Sequence, residues 1–107
     1  MIDLDQRFLT VRALQALILQ MYGAQDAARG DVATFLWLTE EFGELAPAVR
    51  AGNQDELAAE MADVLAWLAT LANIRGIDLE AAVLSQYGQG CPGCLSVPCT
   101  GDPAEKP

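Results

Sequence analysis

The sequence predicts an all-α fold, a bundle of about four helices, and three observations carry that prediction. Apolar residues recur every three to four positions through most of residues 4–87. Glycines and capping side chains (Gly23, Gly52, Gly76, Asn53, Asp78) stand where those periodic stretches would start or stop. No alternating strand pattern and no internal repeat interrupts them.

The first helix is expected over residues 4–22, where Leu4, Phe8, Val11, Leu14, Leu17, Ile18 and Met21 fall at helical spacing and Gly23 offers a C-terminal cap. A polar connector over 24–30 leads to Asp31, whose carboxylate is placed to accept the free amide protons of a second helix over about 32–51. Gly52 stops that helix. Pro47 lies inside it and is expected to kink it or loosen its last turn, since proline cannot donate to the carbonyl one turn back. Asn53-Gln54-Asp55-Glu56 reads as a capping box, with Asn53 as the cap and Glu56 reaching back, and it opens a third helix that ends near Arg75 before Gly76. Asp78 caps a short fourth helix over 79–87. Residues 88–107 then turn rich in glycine, proline and cysteine, so the chain divides into a helical domain, 1–87, and a tail, 88–107.

At 107 residues, with 52% hydrophobic against 20% charged, the composition is that of one globular domain. The chain contains no histidine, which rules out Ser-His-Asp or Cys-His catalysis within one chain and removes imidazole as a metal ligand. Its net charge of −9 and its singly scattered bases (Arg7, Arg12, Arg29, Arg50, Arg75, Lys106) exclude a nucleic-acid polymer as partner, because phosphates need a clustered cationic face. The start, Met1-Ile2-Asp3-Leu4-Asp5, carries acids where a secretory signal carries bases, so the expected location is cytoplasmic. The longest apolar stretch, 57–74, is interrupted by Glu60, Asp63, Thr70 and Asn73 and falls short of the ~20 apolar residues a bilayer requires, which argues for a buried helix and no membrane partner. A helix apolar nearly all round needs cover on several sides, so a homo-oligomer is expected, a homodimer or a dimer of dimers.

Five acids stand at meaningful spacing. At 100° per residue, Glu41 and Glu44 on the second helix lie about 60° apart and one turn displaced, as do Glu60 and Asp63 on the third. Residues 45–59 supply the rest of one helix, a tight turn and the first turn of the next, so antiparallel packing brings the two pairs opposite each other. Glu60 and Asp63 project from text that otherwise reads as core (Leu57, Met61, Val64, Leu65, Trp67, Leu68), where unpaired carboxylates are costly. With lysine and arginine scarce nearby, a divalent cation is the simplest counter-charge. An all-oxygen site selects a hard ion, Mg²⁺ or Mn²⁺, with Ca²⁺ disfavoured by the lack of an EF-hand-type loop. A solvated acidic stripe would explain the second-helix acids taken alone; it does not explain both pairs together. The Glu-x-x-His pattern of diiron carboxylate bundles is missing.

Glu40-Glu41-Phe42-Gly43-Glu44 followed by Glu60-Met61-Ala62-Asp63 resembles the EExxE…ExxD signature of the MazG-like, all-α nucleoside triphosphate pyrophosphohydrolases. Gly43-Glu44-Leu45, Asp63-Val64-Leu65 and Gly76-Ile77-Asp78-Leu79-Glu80 extend the likeness over about residues 30–87. The resemblance implies Mg²⁺-dependent cleavage of a (deoxy)nucleoside triphosphate between its α and β phosphates, with Mn²⁺ as a substitute ion, in a role of nucleotide-pool house-cleaning. It implies that Glu41, Glu44, Glu60 and Asp63 ligate metal, while Glu40 helps to hold a further ion or positions the attacking water. A phosphoribosyl-ATP pyrophosphatase-like enzyme and a non-catalytic, metal-stabilised helical module stand as alternatives.

Trp37, one turn before Glu41, and Trp67, one turn after Asp63, are candidates to stack on a nucleobase, and Asn73 to hydrogen-bond a base or sugar; each also reads as a core or interface residue. Many family members carry a basic stretch after the fourth helix that contacts phosphates. Here Ser85-Gln86-Tyr87-Gly88-Gln89-Gly90 has no base, so Arg50, Arg75 or metal would have to take that part. The tail offers instead Cys91-Pro92-Gly93-Cys94 and then Cys99, a candidate structural Zn²⁺ knuckle that still needs a fourth ligand from Asp102, water or a partner chain. A mobile, reduced tail is the alternative.

Overall fold

The computed structural model describes residues 9–104. Four helices follow in order, α1 (Val11–Arg29), α2 (Asp31–Ala51), α3 (Gln54–Arg75) and α4 (Leu79–Tyr87). No strand occurs among the described residues, which makes the chain all-α as expected.

The first helix departs from its expected bounds at both ends. The Thr10 hydroxyl accepts from the Ala13 amide at 3.0 Å, so the helix starts at Val11; the part of the expectation that falls on residues 4–8 lies outside the described residues. At the other end α1 runs straight through Gly23 to Arg29 and stops at Gly30. A glycine inside a helix costs roughly 1 kcal/mol against alanine, yet Ala24, Gln25, Ala27, Ala28 and Arg29 are all good helix formers and carry the helix past it. The supposed connector 24–30 is thus the last turn and a half of α1.

That extension changes how α2 begins. Gly30, at φ 85° and ψ 172°, both caps α1 through its amide to the Asp26 carbonyl (3.0 Å) and opens α2 by accepting from the Thr34 amide (3.2 Å) and hydroxyl (2.8 Å). Asp31 is therefore the first residue of α2 and not its cap, and its carboxylate instead meets Arg75 at 2.9 Å. Asp31 starts α2 and Arg75 ends α3, so this ion pair marks the antiparallel register of the two helices. At the α2–α3 corner Gly52 is left-handed (φ 74°), and the Asn53 side chain caps α3 by accepting from the Asp55 and Glu56 amides at 3.0 and 3.1 Å; the return bond expected from the Glu56 carboxylate does not form, so the cap is one-sided. α2 stays helical beyond Pro47 to Ala51.

α3 is the central helix, packed on α2 along one side and on α1 along another. By length and composition it is apolar enough to cross a membrane, though it carries Glu60 and Asp63; only Ala69, Thr70 and Ala72 of it are buried, so the helix expected to be buried is mostly uncovered in the single chain. The other buried apolar residues among those described are Ile18 on α1 and Leu38 and Ala48 on α2, the two helices that pack against α3. α4 is tied to α1 by polar contacts: Arg12 pairs with Asp78 (2.9 Å) and Glu80 (2.8 Å), and the Gln15 side chain accepts from the Leu79 amide (3.0 Å). Asp78 caps α4 through the Ala81 amide; that bond, with the Arg12 guanidinium, holds its carboxyl below the usual aspartate range. Large apolar side chains stay exposed on α2 and α3, among them Val32, Phe35, Leu36, Phe42, Met61 and Leu65.

Candidate functional site

Antiparallel packing of α2 on α3 carries Glu41 from one helix to face Glu60 and Asp63 from the other. One carboxylate oxygen from each of the three lies within 4.8 Å of the others. Oxygens on opposite sides of a single hard cation stand about 4–5 Å apart, given metal–oxygen distances of 2.0–2.6 Å, so the three already span one coordination sphere. Glu44, one turn beyond Glu41, lies close enough to press its charge on both Glu41 and Glu60. Glu40 is exposed and outside the convergent three, as its 100° offset from Glu41 requires.

The electrostatics of the cluster are uncompensated. Desolvation, followed by the charges of Glu44 and Asp63, pushes the Glu41 carboxyl above the ordinary glutamate range. Glu60 is raised as well, first by desolvation and then by Glu44, Glu41 and Asp63. Oε2 of Glu41 and Oε2 of Glu60 are both buried without a hydrogen-bond partner. Arg12, Arg29 and Arg75 are committed to other carboxylates, and no ion pair among the described residues reaches the cluster. Buried acceptors with neither donor nor cation are rare in folded proteins. An all-oxygen, four-acid set with two orphaned oxygens suits a hard divalent ion, which would supply the missing positive charge.

Beside the acids lies a cavity of about 370 Å³ lined by Tyr22, Gln25, Asp26, Arg29, Asp63 and Trp67. It shares Asp63 with the acidic cluster and lies within the size range of small-molecule sites. Trp37 and Trp67 meet edge to face, with centroids 5.3 Å apart at 90°. The Arg29 guanidinium sits 4.8 Å from the Trp37 ring centre and 5.0 Å from that of Trp67. The same guanidinium pairs with the buried Asp26 and donates from Nε to the Thr34 hydroxyl at 3.0 Å. The two tryptophans therefore form one cationic–aromatic wall with Arg29 rather than two separate stacking plates.

Asp26 and Arg29 escape a reading that takes 24–30 as a connector. The available signal was an acid and a base at i and i+3 in alanine-rich text, a pairing that belongs on a helix surface. Asn73 lies elsewhere: its amide donates to the Gln15 carbonyl at 3.0 Å, tying α3 to α1, and it borders a smaller hollow of about 230 Å³ with Leu19 and Asp26. A further hollow, about 420 Å³ between Val32, Phe35, Leu68 and Leu71, is apolar, and its one acid, Asp31, is held by Arg75. The three cysteines form a separate cluster in the tail.

Residues 30–87 match the family model of the MazG nucleotide pyrophosphohydrolase domain, whose members typically depend on divalent metal. No curated protein matches the chain. The match spans more than half of the sequence and takes in α2, α3, α4 and all five acids, while α1 with Asp26 and Arg29 precedes it. The chain belongs to the MazG nucleotide pyrophosphohydrolase family.

Proposed function

We propose that the protein hydrolyses (deoxy)nucleoside triphosphates between the α and β phosphates, releasing a nucleoside monophosphate and pyrophosphate. The observation that carries this reading is the convergence of Glu41, Glu60 and Asp63, with two buried carboxylate oxygens left unpaired, at the edge of a nucleoside-sized cavity. Glu41, Glu44, Glu60 and Asp63 would hold Mg²⁺, or Mn²⁺ in its place. When bound, the ion supplies positive charge to the phosphate oxygens and lowers the pKa of water.

The chain's own residues do the rest. Asp63 joins the acidic cluster to the cavity, so a triphosphate held at the acids directs its nucleoside toward Trp67 and Arg29. Arg29, held by Asp26 and Thr34, presents a fixed planar cation against which a base can lie. Glu40, exposed one residue before the cluster, is free to orient the attacking water or to help hold a second ion. The exposed apolar faces of α2 and α3 favour a homodimer or dimer of dimers, and the −9 charge disfavours nucleic-acid polymers. Cytoplasmic nucleotide-pool house-cleaning is the matching role.

The test is incubation of the purified chain with a panel of ribo-, deoxyribo- and modified nucleoside triphosphates and Mg²⁺, with detection of pyrophosphate. Pyrophosphate release that stops on chelation and in Glu41→Gln supports the proposal. Release from phosphoribosyl-ATP alone would move the activity to that substrate. No release from any triphosphate, with metal affinity unchanged by Glu41→Gln, overturns it.

A further inference from the structure

The tail beyond α4 poses a physical problem of its own. Residues 88–104 contain no helix and no buried side chain, so no hydrophobic core holds them. Their backbone is nevertheless drawn into a tight loop. The Cys91 amide donates to the Ser96 carbonyl at 3.0 Å, and the Leu95 amide donates to the Cys91 carbonyl at 2.6 Å. Leu95 takes φ 57°, a left-handed conformation uncommon for a non-glycine residue. Gly90 lies at φ 100°, and a Cβ there would come within 2.7 Å of the Ser96 carbonyl oxygen.

The product of this folding is a convergence of thiols. The Cys99 Sγ lies 3.5 Å from the Cys91 Sγ and 3.7 Å from the Cys94 Sγ, and all three sulfurs fall within 4.8 Å of one another. A disulfide would need about 2.05 Å. Sulfurs sharing one tetrahedral zinc at 2.3 Å stand about 3.8 Å apart, close to the observed spacing. The Thr100 amide points at the Cys94 sulfur (3.3 Å) and the Gly101 amide at the Cys99 sulfur (3.4 Å). Such N–H donors orient the sulfurs and offset charge on metal-bound thiolates. No fourth cysteine or carboxylate among the described residues joins the cluster, and Asp102 accepts from the Ala104 amide instead.

We infer that Cys91, Cys94 and Cys99 form a zinc site that organises the tail, with three protein sulfurs and a fourth position taken by water. The donor set decides the ion: thiolates select zinc, whereas the carboxylates of Glu41, Glu60 and Asp63 select a hard cation. One chain therefore carries two metal sites of opposite preference, and the second does not depend on the activity proposed for the first. Binding exchanges the thiol protons for Zn²⁺ and releases them to solvent. The ion supplies the cross-link that a short segment without a core lacks.

The experiment uses the full chain, reduced with a non-thiol reagent, stripped by chelation, loaded with Zn²⁺ in excess Mg²⁺ and passed through gel filtration. About one zinc per chain is expected, retained in Glu41→Gln/Glu60→Gln. Cys94→Ser should weaken zinc binding by at least ~100-fold, more than the loss of an outer hydrogen-bond partner costs. Should that variant lose structure, Co²⁺ in the unaltered chain gives an independent reading: a thiolate-to-cobalt charge-transfer band with intense tetrahedral d–d absorption. Protease cleavage of the tail should be slow with zinc and fast after chelation. Zinc lost on gel filtration, zinc retained equally by Cys94→Ser, or cobalt bound without the thiolate band each overturns the inference.

Discussion

Glu41 and Glu60 face each other between α2 and α3, each with one oxygen buried and unpartnered. In a protein without metal, two carboxylates so placed oppose folding, because burial and mutual repulsion both penalise their charged forms. Their persistence in the fold makes sense only if something else sets their free energy in the working protein.

The first prediction follows from that opposition. Glu60→Gln should leave the fold intact, or make the metal-free protein more resistant to heat, while lowering pyrophosphate release by about 100-fold or more through weaker metal binding. Thermal denaturation with and without Mg²⁺, beside turnover, checks it. Mg²⁺ should raise the melting temperature of the unaltered chain and raise that of the variant less.

A second prediction concerns pH. The folded-state carboxyls of Glu41 and Glu60 lie above their unfolded values, so in the metal-free protein the native state binds more protons through that window. Stability from this source is present below the ordinary glutamate pKa and is lost as pH rises through the raised folded value. The melting temperature of Glu41→Gln/Glu60→Gln should therefore exceed that of the unaltered protein at neutral pH, and the gap should close on acidification. A gap that does not change with pH would show these carboxyls titrating as ordinary ones.

Arg29 supplies the third. Arg29→Lys keeps a positive charge for Asp26 but loses the planar guanidinium that lies against Trp37 and Trp67. KM for the nucleotide should rise about tenfold, equivalent to ~1.4 kcal/mol, with kcat nearly unchanged and tryptophan emission altered. A fall in kcat at constant KM would instead place Arg29 at the reacting phosphates.

How far the sequence reveals this arrangement depends on the range of each signal. The caps at Asn53 and Asp78 and the stops at Gly52 and Gly76 act within one helical turn, and all four are legible. The spacing of Glu41, Glu60 and Asp63 is legible too, because a single tight turn leaves the antiparallel helices little freedom of register. Gly23 misleads, since a local preference worth about 1 kcal/mol yields to the helix formers after it. With Gly23 taken as a stop, Asp26 and Arg29 vanish into a supposed connector together with Gln25, and a third of the cavity's lining residues goes with them. Asp31 misleads for a related reason: its carboxylate resembles a cap locally, but Arg75, 44 residues away, claims it.

The last prediction tests the joint that sequence reading missed. Gly30 combines φ 85° with ψ 172°, a region open almost only to glycine, although a Cβ there would meet nothing within 4 Å. Gly30→Ala should therefore act through backbone strain alone, at roughly 1–3 kcal/mol, lowering the melting temperature by about 5–15 °C. The strain also falls on function. Arg29 and Thr34 flank Gly30 and share the hydrogen bond that holds the guanidinium against the tryptophans, so relaxation at this joint should raise KM as well. D-alanine introduced at position 30 by chemical synthesis adds the same methyl group but favours positive φ. It should restore both the melting temperature and KM; if it fails as L-alanine does, bulk rather than backbone conformation is what the joint excludes.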